Sequence, residues 1–186
     1  MEIAVYDSLN APLWPEALRL YHRAFPHGRK PDAVIRRMFD LGIGRLLLAS
    51  IDGKLAAMAI AGTVPEGRML LIDYLAVQED ARGQGIGRRF VHAIKRRAGE
   101  QDQLDAVLVE VEADPTPEND GRIRFWERCG FIPTRYVHRY IWVPETYRAM
   151  YAPLRPDFEV TDDGQSLFRH IAAFHRISFR PGGADR

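Results

Sequence analysis

The sequence predicts an α/β fold: a mixed, mostly antiparallel central sheet of about seven strands flanked by helices. Three observations lead there. Short apolar runs bounded by turn residues recur along the chain and read as strands. The pair Asp52-Gly53 between two of these runs is a favoured two-residue hairpin turn. Segments with apolar residues at helical spacing alternate with the strands instead of following them in a block, so the helices can cover both faces of one sheet.

Taken in order, Glu2 to Tyr6 alternates as a short first strand, and Ser8, Asn10 and Pro12 turn the chain into a helix. Leu13, Ala17, Leu18, Tyr21 and Phe25 form the apolar face of that helix, which ends at Pro26-His27-Gly28. Asp32 is placed to cap a second helix whose apolar residues are Val34, Ile35, Met38, Phe39 and Leu41. The connection between them is basic, with His27, Arg29 and Lys30, and reads either as a solvated connector or as part of a binding surface. Arg45–Ile51 and Lys54–Thr63 are the arms of the hairpin. After a turn at Pro65-Glu66-Gly67, Met69–Val77 is a third consecutive antiparallel strand. A helix over about 86–97 turns Ile86, Phe90, Val91, Ile94 and Ala98 inward and Arg88, Arg89, His92, Lys95, Arg96 and Arg97 outward.

Ala106–Glu112 is the next strand, with Glu110 and Glu112 on one face and Val107, Val109 and Val111 on the other. A helix is expected over about Gly121–Cys129, a long bent strand over Phe131–Val143 and a last strand over Arg148–Leu154. Residues 155–163 are polar with prolines; Leu167, Ile171, Phe174 and Ile177 then mark a C-terminal helix, followed by a frayed tail at Arg180-Pro181-Gly182-Gly183. The organisation expected is one domain over 1–154 with an extension over 155–186 that packs on it or makes a homodimer contact.

At 186 residues, with 26 basic and 25 acidic side chains, the chain is long enough for one sizeable core and has no global charge excess that would argue for nucleic acid or a membrane surface. Cys129 is the single cysteine, which excludes an internal disulfide framework and a Cys-based zinc site. It has no base placed beside it by motif, so it is not read as a nucleophile. The first residues lack the layout of a signal peptide, and no apolar run approaches the ~18 residues of a membrane span. A cytoplasmic protein is the expectation.

The chemistry concentrates where the strand Leu70–Val77 runs through Gln78-Glu79-Asp80-Ala81 into Arg82-Gly83-Gln84-Gly85-Ile86-Gly87 and a helix. Small residues let backbone approach a ligand, and the unpaired amides of a helix's first turn attract anions, so this is a phosphate cradle. It has neither the Gly-x-Gly-x-x-Gly spacing of a dinucleotide site nor the Gly-Lys-Ser/Thr ending of a Walker loop. It resembles the Arg/Gln-x-x-Gly-x-Gly/Ala signature of GNAT-type N-acetyltransferases. A second block, Asn119-Asp120-Gly121-Arg122-Ile123-Arg124-Phe125-Trp126-Glu127-Arg128-Cys129-Gly130-Phe131, resembles that family's Asn-x-x-Ala-x-x-Leu-Tyr-x-x-x-Gly-Phe helix. The resemblance covers about residues 2–145 and is densest over 69–131.

That resemblance implies a GNAT-like sheet and acetyl-coenzyme A as acyl donor, with no metal, and a primary amine of a small molecule or protein as acceptor. It implies that Arg82, Gly83, Gln84, Gly85, Ile86, Gly87 and Arg88 hold the pyrophosphate and that Leu75, Ala76 and Val77 pair with the pantetheine arm along a strand splayed by a bulge. Asn119, Phe125 and Trp126 line the far side of the coenzyme. Glu110 aligns with a strand glutamate that serves as base in some members, and Asp73 with an acidic residue used by others. Trp126 stands where many members have a tyrosine that protonates the leaving thiolate, and Tyr136 and Tyr140 lie where they could reach inward instead. A thiolate, with a parent pKa near ~8.5, also leaves without such help. The other reading is a coenzyme A-binding regulatory or interaction module without catalysis.

Overall fold

The computed structural model describes residues 1–63, 67–141 and 143–179. Its seven strands are β1 (Glu2–Tyr6), β2 (Gly44–Ile51), β3 (Lys54–Thr63), β4 (Met69–Val77), β5 (Ala106–Glu112), β6 (Ile132–Arg139) and β7 (Thr146–Pro153). They form one sheet in the order β1-β2-β3-β4-β5-β7-β6. Every pairing is antiparallel except that of β4 with β5. The helices are α1 (Trp14–Ala24), α2 (Asp32–Asp40), α3 (Ile86–Glu100), α4 (Pro117–Arg128) and α5 (Gln165–Phe179).

Strand alternation divides the core into two layers. Leu46, Leu48, Met58, Ile60, Leu71 and Leu108 face α1, α2 and α5. Leu47, Ala57, Leu70, Ile72, Val107 and Val109 face α3, with Phe125 and Trp126 of α4 packed at the margin. The C-terminal helix is part of the first layer: Leu167, Phe168, Ile171 and Phe174 are buried in it. Its approach to the sheet depends on Gly62, because a Cβ there would lie 2.3 Å from Cε2 of Phe174 and 2.6 Å from the carbonyl oxygen of Ile43.

Several boundaries differ from the sequence expectation for local reasons. Helix α4 starts at Pro117, four residues before Gly121, because Thr116 caps it by accepting the Asn119 amide at 3.1 Å and Pro117 suits the first helical position. Strand β6 stops at Arg139, short of Val143, and β7 starts two residues early at Thr146, whose amide donates to Asp114 Oδ2 at 2.9 Å. Asp32 does not cap α2; Pro31 holds that position, and Asp32 pairs with Nε2 of His22 at 2.8 Å. Residues 65 and 66 of the expected turn, residue 142 of the expected long strand and the expected tail at Arg180–Gly183 lie outside the described residues.

Candidate active site

A fork in the sheet organises the site. The parallel pairing of β4 with β5 runs from Met69 with Ala106 to Ile72 with Val109 and ends there. On its other side β4 pairs Tyr74 with Ile60 and Ile72 with Ala61, which leaves Asp73 as an extra residue, a β-bulge. Beyond it β4 stays with β3, while β5 continues against β7 through Glu110 with Ala149 to Glu112 with Tyr147. Asp73 and Glu110 are therefore the first residues past the last β4–β5 pair, one on each lip.

On one side of the fork is the glycine-rich turn. Arg82 to Gly85 are exposed, and no side chain caps α3, whose N-cap residue Gly85 sits at φ 72°. That conformation suits glycine, and an uncapped helix start leaves amides for an anion. The Arg82 Nε donates to the carbonyl of Val77 at 3.2 Å and the Gln84 amide to that of Asp80 at 2.9 Å, so both side chains brace the turn. A Cβ at Gly87 would lie 3.3 Å from Phe125 and from Val77, which brings α4, the end of β4 and the start of α3 together. Trp126 stacks edge-on against Phe125 and Phe131, with ring centroids 5.1 and 5.0 Å away. Asn119 is buried, and its side chain is engaged by the chain itself, donating to the Asp114 carbonyl at 2.9 Å and accepting from Arg122 at 3.0 Å. Arg122 also pairs with Glu112 at 3.2 Å.

On the α1, α2 and α5 side, the two lip carboxylates belong to one polar chain. Lys30, in the connection between α1 and α2, donates from Nζ to both Asp73 oxygens at 2.8 and 2.6 Å. The two side chains are only 4% and 6% exposed. The same Nζ lies 3.0 Å from Nδ1 of His175 on α5, and Nε2 of His175 lies 3.0 Å from Oε2 of Glu110. Tyr140, just past β6, donates to Oε1 of Glu110 at 2.7 Å. Burial, and the Glu110 carboxylate beside it, push the Tyr140 hydroxyl far above the usual phenol range, so it remains a donor. Tyr21 donates to the Lys30 carbonyl at 2.9 Å and the Lys30 amide donates to Tyr74 Oη at 2.9 Å, which fixes the backbone that delivers the lysine.

Of the residues singled out in the sequence, Asp73, Glu110 and Tyr140 meet in this chain. Tyr136 does not join it: its hydroxyl lies 3.3 Å from Nδ1 of His138 and its ring packs on Phe168 at 5.5 Å. Tyr140, four residues on, makes the contact. The basic loop is only in part a solvated connector: His27 is exposed, but Lys30 is buried and Arg29 donates to the carbonyls of Phe25 and Pro26 after α1. Lys95, placed among the outward charges of α3, donates to the Cys129 carbonyl at 2.8 Å and closes the end of α4. Cys129 is buried, and burial pushes its thiol up, away from nucleophilic behaviour.

Residues 14–131, well over half of the chain, match the model of the acetyltransferase (GNAT) family. The chain belongs to that family. The uncapped α3 start, the close approach at Gly87 and the freed β4 edge fit the family's acyl donor, acetyl-coenzyme A. Solved GNAT folds agree with the architecture. A protein from Bacteroides thetaiotaomicron described as a GNAT-family acetyltransferase superposes at TM-score 0.73 with 15% identity, covering 96% of this chain and 98% of its own. The ribosomal-protein-S18-alanine N-acetyltransferase of Escherichia coli superposes at 0.61 with 21% identity over 86% and 100%. A Bacillus subtilis acetyltransferase solved with CoA superposes at 0.61 with 16% identity over 83% and 99%. No curated protein matches in sequence. Among the described residues no helix is long and apolar enough to cross a membrane. The GNAT match ends at Phe131, so Tyr140 and His175, which complete the polar chain, lie beyond it.

Proposed function

We propose that the protein is an N-acetyltransferase that moves the acetyl group of acetyl-coenzyme A onto a primary amine of a small molecule or a protein by direct attack in a ternary complex. The observation that supports this most is the fork, with a cradle for the coenzyme on one side and a carboxylate on each lip. The bound coenzyme supplies the acyl group as an activated thioester. The amides of the α3 start, with Arg82 to Arg88, hold its pyrophosphate, and the unpaired edge of Leu75, Ala76 and Val77 orients its arm like an added strand. Phe125 and Trp126 wall the arm on the α4 side.

An alkyl ammonium has a pKa near ~10.4 and must lose a proton before it can attack. Glu110 is the base in this reading. Both carboxylates are engaged at both oxygens, but Glu110 is 15% exposed against 6% for Asp73, and Asp73 is committed to the Lys30 ammonium. Such a base contributes on the order of 10²–10⁴-fold.

The donor test is thermal. Coenzyme at ~100 times its Kd stabilises by about 2.7 kcal/mol, roughly 5–11 °C for a chain of this size. Gly85→Glu, which strains a positive-φ position and places an anion in the cradle, removes the shift. An unchanged melting curve of the parent protein at millimolar acetyl-coenzyme A overturns the donor assignment. The acceptor test is thiol release with a panel of polyamine, aminoglycoside, amino acid and peptide amines, in which Glu110→Gln lowers turnover by about 10²-fold or more at neutral pH. Trp126 at the place of the family's tyrosine favours one competing reading, a coenzyme-binding module without catalysis. A full melting shift with no thiol release from any amine supports that module over the enzyme.

A further inference from the structure

The polar chain contains one orientation-sensitive link, and its donors and acceptors can be counted. Lys30 has only donors, so at the 3.0 Å contact it gives a proton to Nδ1 of His175, and that nitrogen accepts. A neutral imidazole with Nδ1 accepting carries its single proton on Nε2, which then donates to Oε2 of Glu110 across 3.0 Å. With Tyr140 donating to Oε1, both oxygens of Glu110 are fixed by donors from two separate segments of the chain. His175 is itself held on both sides, by the buried Lys30–Asp73 pair and by the packing of its neighbour Phe174 against Gly62. The donors of this chain therefore diverge from Lys30, directly to Asp73 on one side and through His175 to Glu110 on the other.

We infer that His175 of α5 is a positioning residue for Glu110: as an Nε2-protonated imidazole anchored by Lys30 and Asp73, it sets the orientation in which Glu110 receives the acceptor's proton. Asp73 then acts through Lys30 and not on the substrate, and the C-terminal helix is a working wall of the active site. The inference rests on the reading of Glu110 as base, and it adds what the GNAT match, ending at Phe131, does not contain.

Two measurements test it. The first needs no acceptor. In the protein labelled with ¹⁵N at histidine, at neutral pH, His175 shows Nε2–H with an unprotonated Nδ1, and Glu110→Gln moves the Nε2 proton resonance. A proton on Nδ1 overturns the inference. The second separates the two ring nitrogens. Gln at 175 can place an amide N–H where Nε2 stood, whereas Asn can offer only a carbonyl where Nδ1 stood. With acetyl-coenzyme A and whichever panel amine turns over, His175→Gln stays within ~3-fold of the parent kcat, and His175→Asn loses about 30- to 100-fold, the loss expected when a reacting group is misplaced by ~1 Å. The KM for acetyl-coenzyme A and the coenzyme-induced melting shift stay as in the parent protein for both variants. Equal kcat for the Gln and Asn variants overturns the positioning role while Glu110→Gln remains impaired. If Glu110→Gln is itself as active as the parent, the base assignment has failed instead.

Discussion

Lys30→Met isolates the buried pair at the root of the site. The substitution keeps the apolar stem of the side chain out to Cε and removes the terminal ammonium. The backbone at residue 30 stays tied by Tyr21 and Tyr74, so the path of the loop is not what is lost. What is lost is the ammonium that donates to both Asp73 oxygens at 2.8 and 2.6 Å, in a pair whose side chains are 4% and 6% exposed, together with its 3.0 Å contact to Nδ1 of His175. Removing one partner of a buried pair leaves a charge without compensation and costs about 3–5 kcal/mol. For a chain of this length that is roughly 6–20 °C in Tm. Adding Asp73→Asn removes the stranded charge, and the double variant recovers most of the loss, because a neutral amide carries a far smaller desolvation penalty than an unpaired carboxylate. The assay is a four-member thermal and urea cycle read by circular dichroism. A single Lys30→Met variant within ~1 kcal/mol of the parent, or a double variant no more stable than the single, refutes the view of Asp73 as an ionised and dependent partner of Lys30.

Two further outcomes follow from the packing and the charges. Gly62→Ala puts a methyl 2.3 Å from the Phe174 ring and 2.6 Å from the Ile43 carbonyl oxygen, so the ring must retreat by about 1 Å and the cost is ~1–3 kcal/mol of overpacking. Phe174→Leu in the same chain restores part of it in a melting experiment, and an unchanged Tm for Gly62→Ala contradicts the close seating of α5. The Thr146 amide, donating to Asp114, holds the Asp114 carboxyl below the usual carboxylate range. Because the folded-state value is depressed, this contribution is complete above the ordinary carboxylate range and is lost as pH falls through the depressed value. The Tm difference between the parent and Asp114→Asn is therefore constant near neutrality and closes in acid; a difference that persists unchanged in acid removes the charge from the explanation.

The parts of the site legible in the sequence are those whose cause is local. The cradle is spelled by glycines within six residues, and the strand that enters it and the helix that leaves it are set by periodicity. Alternation in β5 alone puts Glu110 and Glu112 on one face. Even the early start of α4 had a local signal, since Thr116-Pro117 is a cap followed by proline. The bulge that isolates Asp73 had no local signal and was expected only from the family resemblance, because a bulge is a mismatch between two strands and is written in neither strand alone.

The polar chain was hidden for a related reason. Lys30 reaches Asp73 across 43 residues, Tyr140 reaches Glu110 across 30, His175 reaches Glu110 across 65 and Lys30 reaches His175 across 145. In the sequence Lys30 is one of three basic residues in a loop, and His175 lies on a helix that reads as a packing or dimer element. Their burial becomes visible only once α5 lies on the sheet, and α5 can lie there because Gly62 has no side chain. One small residue on β3 thus decides whether a histidine near the C-terminus reaches a glutamate on β5. In this chain the helix whose packing depends on Gly62 is also the helix that carries His175 to Glu110, so on the reading proposed above a loss of close packing at Gly62 also lowers turnover.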